Sequence, residues 1–286
     1  MQIRTDLALE QREMYGALPQ GVQSKEMTKN GAKVTKIRIE NEKGERALGK
    51  PKGNYITVEV PAFSDNVQNE PLIDTVCEEM ISLIPKEGTA LVVGLGNSNI
   101  TPDALGPKVC ESILATRHIG KELARAAGIE NARSVAVLTP GVLGQTGMEA
   151  FDIIKGVSQR IEPSVVIAID ALASRQLSRL GCTVQMSDSG IEPGAGVGNA
   201  RYEISKKTLG VPVIAVGVPT VVDAATLVSD LTGSDKSFAQ PEGRQMIVTP
   251  REIDLLIDRA AHLLSDVINF SLQPALDREI IRDILS

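Results

Sequence analysis

Val165-Val166-Ile167-Ala168-Ile169, running straight into Asp170-Ala171-Leu172-Ala173, is the stretch on which the fold turns. Five consecutive apolar residues, mostly β-branched and without polar alternation, have the character of a strand covered on both faces. Three further runs share it: Ala90 to Leu95, Ser134 to Leu138 and Val213 to Val216. Each gives way to a Gly/Pro-rich loop and then to an amphipathic helical stretch. Buried strands separated by helices imply βαβ units, and so a three-layer α/β/α fold with a mainly parallel sheet.

Outward from this centre the signals are weaker. Val34 to Ile39 alternates and reads as a half-buried strand near the sheet edge, and Tyr55 to Val60 is placed to pair with it. Apolar residues at helical spacing from Leu72 to Ile84 predict a helix that stops before Pro85. Cys182 to Met186 reads as an added antiparallel strand, and the segment from Pro250 to Ser286 as one or two helices opened by Thr249 as N-cap. The polar segment from Gly233 to Gly243 reads as a mobile surface loop.

A chain of 286 residues, 42% of them hydrophobic, can bury one full core, so a single domain over 1–286 is expected. A net charge of -6 without a Lys/Arg cluster argues against nucleic acid as a partner. The apolar runs are too short to span a bilayer and Met1 to Asp6 has no signal-peptide core, so no membrane partner and a cytoplasmic location are expected. Cys77, Cys110 and Cys182 show no Cys-x-x-Cys spacing and read as core residues.

In open parallel sheets, ligands bind outside the carboxyl ends of the strands. Two loops there carry an aspartate beside apolar residues, Thr101-Pro102-Asp103-Ala104-Leu105-Gly106 and Ile169-Asp170-Ala171-Leu172-Ala173. Desolvation raises the pKa of such carboxyls, and a neighbouring carboxylate raises one of a pair further. Such a pair suits general acid/base work on a water molecule. The competing reading is that each aspartate caps a following helix. Asp223 reads as structural, inside a helix begun at Val221. Asn97, Asn99 and Gln145 are candidates for orienting substrate or stabilising an oxyanion, or for closing their own loops.

Other chemistries fail on spacing. Gly94-x-Gly96-x-x-Asn99 lacks a third glycine and a following helix, Gly194 to Gly198 lacks the Gly-Lys-Ser/Thr of a phosphate loop, and no Gly-x-Ser-x-Gly elbow exists. His118, expected to close a helix, and His262, on a helix face, read as structural and leave no histidine-based metal site. No cofactor and no metal are expected, although carboxylates alone can hold a hard divalent ion.

Taken together, the motifs Leu91 to Asn97, Thr101 to Pro107, Pro140-Gly141-Val142, Ile167 to Ala173, Ser187 to Ile191, Gly196 to Asn199 and Ile214 to Asp223 resemble the germination protease family of endospore-forming bacteria. The resemblance implies an endopeptidase that degrades small acid-soluble spore proteins in the spore interior, with Asp103 and Asp170 as its catalytic aspartates. It implies a homotetramer, a fold similar to hydrogenase-maturing endopeptidases, and a zymogen. Arg4 to Glu10 looks like the self-processing segment, with residues 1–6 as propeptide and the cut between Asp6 and Leu7. Two alternatives stand beside this one: a metal-assisted maturation endopeptidase, and a non-enzymatic nucleotide-binding or regulatory α/β module.

Overall fold

The computed structural model describes residues 5–63, 65, 69–195, 201–232 and 246–286. The strands are β1 Val22–Lys29, β2 Ala32–Ile39, β3 Gly53–Glu59, β4 Ala90–Gly94, β5 Val135–Leu138, β6 Val165–Ser174, β7 Thr183–Ser187, β8 Val213–Asp223 and β9 Ile247–Val248. The helices are α1 Ala8–Glu13, α2 Glu42–Leu48, α3 Glu70–Ile81, α4 Leu105–Glu111, α5 Lys121–Ala126, α6 Leu143–Thr146, α7 Ala150–Ile161, α8 Lys206–Leu209, α9 Ala224–Thr232, α10 Ile253–Leu272 and α11 Arg278–Leu285. Among the described residues one sheet runs β1-β2-β3-β7-β8-β6-β4-β5, with β9 paired to β8. β5, β4, β6 and β8 are mutually parallel; helices α4 to α7 link β4, β5 and β6 as expected, whereas β6 is followed by a 3₁₀ turn and antiparallel β7 and not by the expected amphipathic helix. An antiparallel wing of β1, β2, β3 and β7 extends the sheet. The fold class is α/β, with helices on both faces of the sheet.

Alternation along the strands sorts the core into two faces. One face sends Val58, Val92, Ile167, Val184 and Val216 against α3, α4 and α10. The opposite face has two separate apolar patches. Leu91, Val93, Val166 and Ala168 pack on Ile154 of α7. Ile37, Ile39 and Tyr55 pack on Leu9 of α1 and Leu48 of α2. Between these patches runs a cross-strand row of Gln185, Gly217 and Asp170, set by the pairings Gln185↔Gly217 and Asp170↔Gly217.

Several expectations shift. β6 continues through Asp170 to Ser174, so Asp170 stands inside a strand and not beyond its end. The run goes on because β8 continues beside it, pairing Asp170↔Gly217 through Ser174↔Val222 after β4 has stopped at Gly94. Asp223 ends β8, and its carboxylate accepts from the Thr226 N–H and hydroxyl at 3.0 Å, capping α9. Thr249 does not open a helix: its hydroxyl donates to the Thr220 carbonyl at 2.9 Å, and α10 starts at Ile253. His118 lies exposed in a turn beyond the end of α4. β1 was not expected, although it joins β2 through Asn30-Gly31, both at positive φ, a dipeptide suited to a two-residue hairpin. The Gly233 to Gly243 loop and the Gly196 to Asn199 motif both lie wholly outside the described residues.

Candidate active site

Asp103 ends a 3₁₀ turn, Thr101–Asp103, which is folded back under the end of β4. The return is made by backbone packed on backbone. A Cβ at Gly106 would lie 2.3 Å from the Leu95 carbonyl oxygen and 2.6 Å from that of Ile169. Gly96, at φ +110, would bring a Cβ to 2.0 Å from the Asp103 carbonyl oxygen. The glycines of this region therefore serve close approach and not a phosphate. The Thr220 hydroxyl donates to the Pro102 carbonyl at 2.8 Å, tying the turn to β8, and the Asn97 N–H donates to the Asp103 carbonyl at 3.0 Å. Neither aspartate caps a helix: Ala104 occupies the N-cap position of α4 without a side-chain cap, and Asp170 is followed by more strand.

Asp103 and Asp170 line one cleft of about 400 Å³ together with Asp6. Asn97, Leu95, Val142, Phe151, Arg201 and Tyr202 contribute further walls. Arg201 lies 3.6 Å from Glu149 as an ion pair. Burial pushes the Asp103 carboxyl up to about 6, with the Asn97 N–H pulling the other way. Asp170 is held well above the ordinary carboxylate range, by burial first, then by the charges of Asp103 and Asp6, against one N–H from Ala171. Asp170 is only 6% exposed whereas Asp103 is partly open to the cleft, so burial weighs more heavily on the Asp170 carboxyl.

The N-terminal segment lies across this site. Past the end of β4 one edge of β6 is open, and Asp6 takes it: its N–H donates to the Ala173 carbonyl at 2.9 Å, and its Oδ2 accepts from the Ala173 N–H at 2.8 Å. The Asp6 carbonyl accepts from Gln185 Nε2 at 2.9 Å, and Gln185 Oε1 accepts from the Ala8 N–H at 3.0 Å. The Leu7 N–H donates to Thr5 Oγ1 at 3.0 Å, and Thr5 in turn donates to Glu10. Glu10 is buried and accepts from the N–H groups of Arg175 and Gln176 at 2.7 and 2.9 Å. Burial raises its pKa, opposed by those bonds and by Arg179. Leu7 and Ala8 are fully buried.

The remaining candidates separate. Asn97 reaches the cleft and accepts from Gln145 Nε2 at 2.7 Å, a loop-to-loop bond, while Gln145 itself is exposed. Asn99 is exposed, and its main-chain N–H, not its amide, bonds Asn97 Oδ1 at 3.0 Å. Gln185 was overlooked, though a glutamine between Val184 and Met186 in a short apolar run is the kind of inward polar residue that marks a site. Among the described residues no group of three or more His, Cys, Asp or Glu side chains is arranged to hold a metal ion, and no helix is long and apolar enough to cross a membrane.

A solved [NiFe] hydrogenase maturation protease HycI from Thermococcus kodakarensis is 17% identical, with TM-score 0.38, covering 66% of this chain and 98% of its own. The germination protease of Clostridium tetani is 44% identical over 100% of both chains. That of Caldanaerobacter subterraneus subsp. tengcongensis is 44% identical over 99% of this chain and 98% of its own. Residues 4–233 match the profile of the germination protease family. On that match and those identities, the chain belongs to the germination protease family, a family of peptidases.

Proposed function

We propose that the chain is an aspartate-dependent endopeptidase of spore germination that cuts small acid-soluble spore proteins and is made as a zymogen that removes its own residues 1–6. The observation that carries the reading is the presence of Asp103, Asp170 and the Asp6–Leu7 segment in and beside one cleft. In this reading Asp103, the first of the pair to ionise, takes a proton from water as its oxygen attacks the carbonyl carbon. Asp170, kept protonated by burial, gives its proton to the departing nitrogen. The C–N bond breaks to leave a carboxylate on one product and an amine on the other, and water is the only co-reactant. Neither step calls for a cofactor. Family resemblance extends the reading to a homotetramer in the spore interior, which sedimentation of the purified chain tests.

The deciding experiment follows the N-terminal mass of the purified chain over time, beside Asp103→Asn and Asp170→Asn. Loss of Met1 to Asp6 in the wild type alone, with cleavage of added small acid-soluble spore protein, is the expected result. Equal processing in the aspartate variants would sink the aspartate mechanism.

A further inference from the structure

Gln185 brackets the Asp6–Leu7 peptide bond. Its Nε2 donates to the carbonyl oxygen on one side of the bond at 2.9 Å, and its Oε1 accepts from the Ala8 N–H on the other at 3.0 Å. The two partners fix the orientation of the amide, since a carbonyl requires the NH₂ and an N–H requires the oxygen. Gln185 is 7% exposed, on a strand whose neighbours Val184 and Met186 point into the opposite core. Nothing in sheet packing calls for an amide there, and a buried amide is costly unless bonded. Its position is also set toward the aspartates. Gln185, Gly217 and Asp170 share one row across three strands, so the backbones of Gln185 and Asp170 stand about 10 Å apart, two inter-strand spacings. Gly217 between them has no side chain, and a Cβ there would meet the Asp170 carbonyl at 2.4 Å and Leu172 at 2.7 Å. The absent side chain lets the Asp170 carbonyl and the Leu172 side chain pack against the Gly217 backbone between amide and carboxyl.

We infer that Gln185 holds the carbonyl of the peptide bond to be cut, donating to the oxygen on which charge develops while its own oxygen fixes the chain one residue beyond the bond. This rests on the reading of Asp6–Leu7 as a cleaved bond, and a protein substrate lying in the same place meets the same amide. When water adds to the Asp6 carbonyl carbon, the electron pair moves to the oxygen facing Nε2, and the donor stabilises it until the C–N bond to Leu7 breaks.

The test is the first-order rate of loss of residues 1–6 from the full chain, in which Asp6 and Leu7 are already bound to the sheet and the rate reports chemistry more than docking. Gln185→Glu keeps the shape and the acceptor for Ala8 but replaces the donor, and Gln185→Met keeps only the length. Both are expected to slow self-cleavage about 100-fold at pH 7.5. As pH falls toward 5.5, the rate of Gln185→Glu relative to wild type is expected to recover, because its protonated carboxyl regains an O–H donor, while that of Gln185→Met stays flat. Rates within about threefold of wild type in either folded variant would overturn the assignment. So would a loss that follows the melting temperature in both variants without recovery at low pH, which would make the amide a structural bracket. Asp103→Asn and Asp170→Asn are run alongside. If they are silent while the Gln185 variants cleave normally, only the Gln185 assignment fails. If they cleave, or if the wild-type chain never does, the underlying reading fails and the assignment with it.

Discussion

At the scale of single residues, two carboxyls differ because their surroundings differ. Asp170 lies in the sheet row under the N-terminal segment, whereas Asp103 sits on a turn partly open to the cleft. In both, the folded-state pKa is raised above the unfolded value, so the folded chain holds more protons than the unfolded one between the two pKa values. Stability therefore falls as pH rises, from about 4 upward and through about 6 for Asp103, and further for Asp170. Asn at either position does not ionise in the unfolded chain, so folding no longer has to take up a proton there or bury a charge. Asp170→Asn is expected to raise the melting temperature at pH 7.5 by on the order of 2–4 °C relative to wild type while abolishing self-cleavage. The gain should shrink by pH 4. Scanning calorimetry across that range checks it, and a variant destabilised at pH 7.5 would contradict the picture of a buried, protonated Asp170. The rate of the wild type should rise with pH through about 6 as Asp103 ionises, a limb that stopped-time mass analysis between pH 5 and 7.5 would locate.

At the scale of elements, the site depends on where strands stop. β4 ends at Gly94 while β6 runs on to Ser174, which exposes an edge of β6 for Asp6 and leaves room for the Asp103 turn to fold back. Gly106 sits at the centre of that return, touching the carbonyls of both Leu95 and Ile169. Gly106→Ala is expected to cost about 1–3 kcal/mol in urea unfolding and to depress self-cleavage more than stability alone explains, because the backbone shift displaces Asp103. The same reasoning shows why the Gly94-x-Gly96 pattern misleads as a nucleotide signal. Its glycines are required, but by the Asp103 carbonyl and by α4 and not by a ligand. The end of β6 was misplaced from sequence because a charged residue after five apolar ones looks like a loop. Only the partner strand, β8, decides that the ladder continues.

At the scale of the whole molecule, the first turn of the chain is a component of the far side of the sheet. α1 supplies Leu9 to the patch of Ile37, Ile39 and Tyr55, and Glu10 closes the main-chain donors of Arg175 and Gln176. Glu10→Ala should leave those two N–H groups without their partner and cost about 1–3 kcal/mol, with faster hydrogen exchange at Arg175 and Gln176. Unchanged exchange there would show that the segment is not held through Glu10. By itself, the sequence determined the α/β class, the four parallel strands, the family and the pair Asp103 and Asp170 as candidates, because apolar runs, strand-end loops and motifs are local and survive in one dimension. Asn30-Gly31 held the first hairpin in plain view, and Gln185 between Val184 and Met186 was a readable irregularity. What only the tertiary structure decided is which groups meet: Asp6 beside Asp170, Gln185 across the Asp6–Leu7 bond, Glu10 on the loop after β6. Those contacts join residues more than 160 positions apart. They follow from the order in which strands pair and from where each one ends, which hydrogen bonding and packing settle across the sheet and not along the chain.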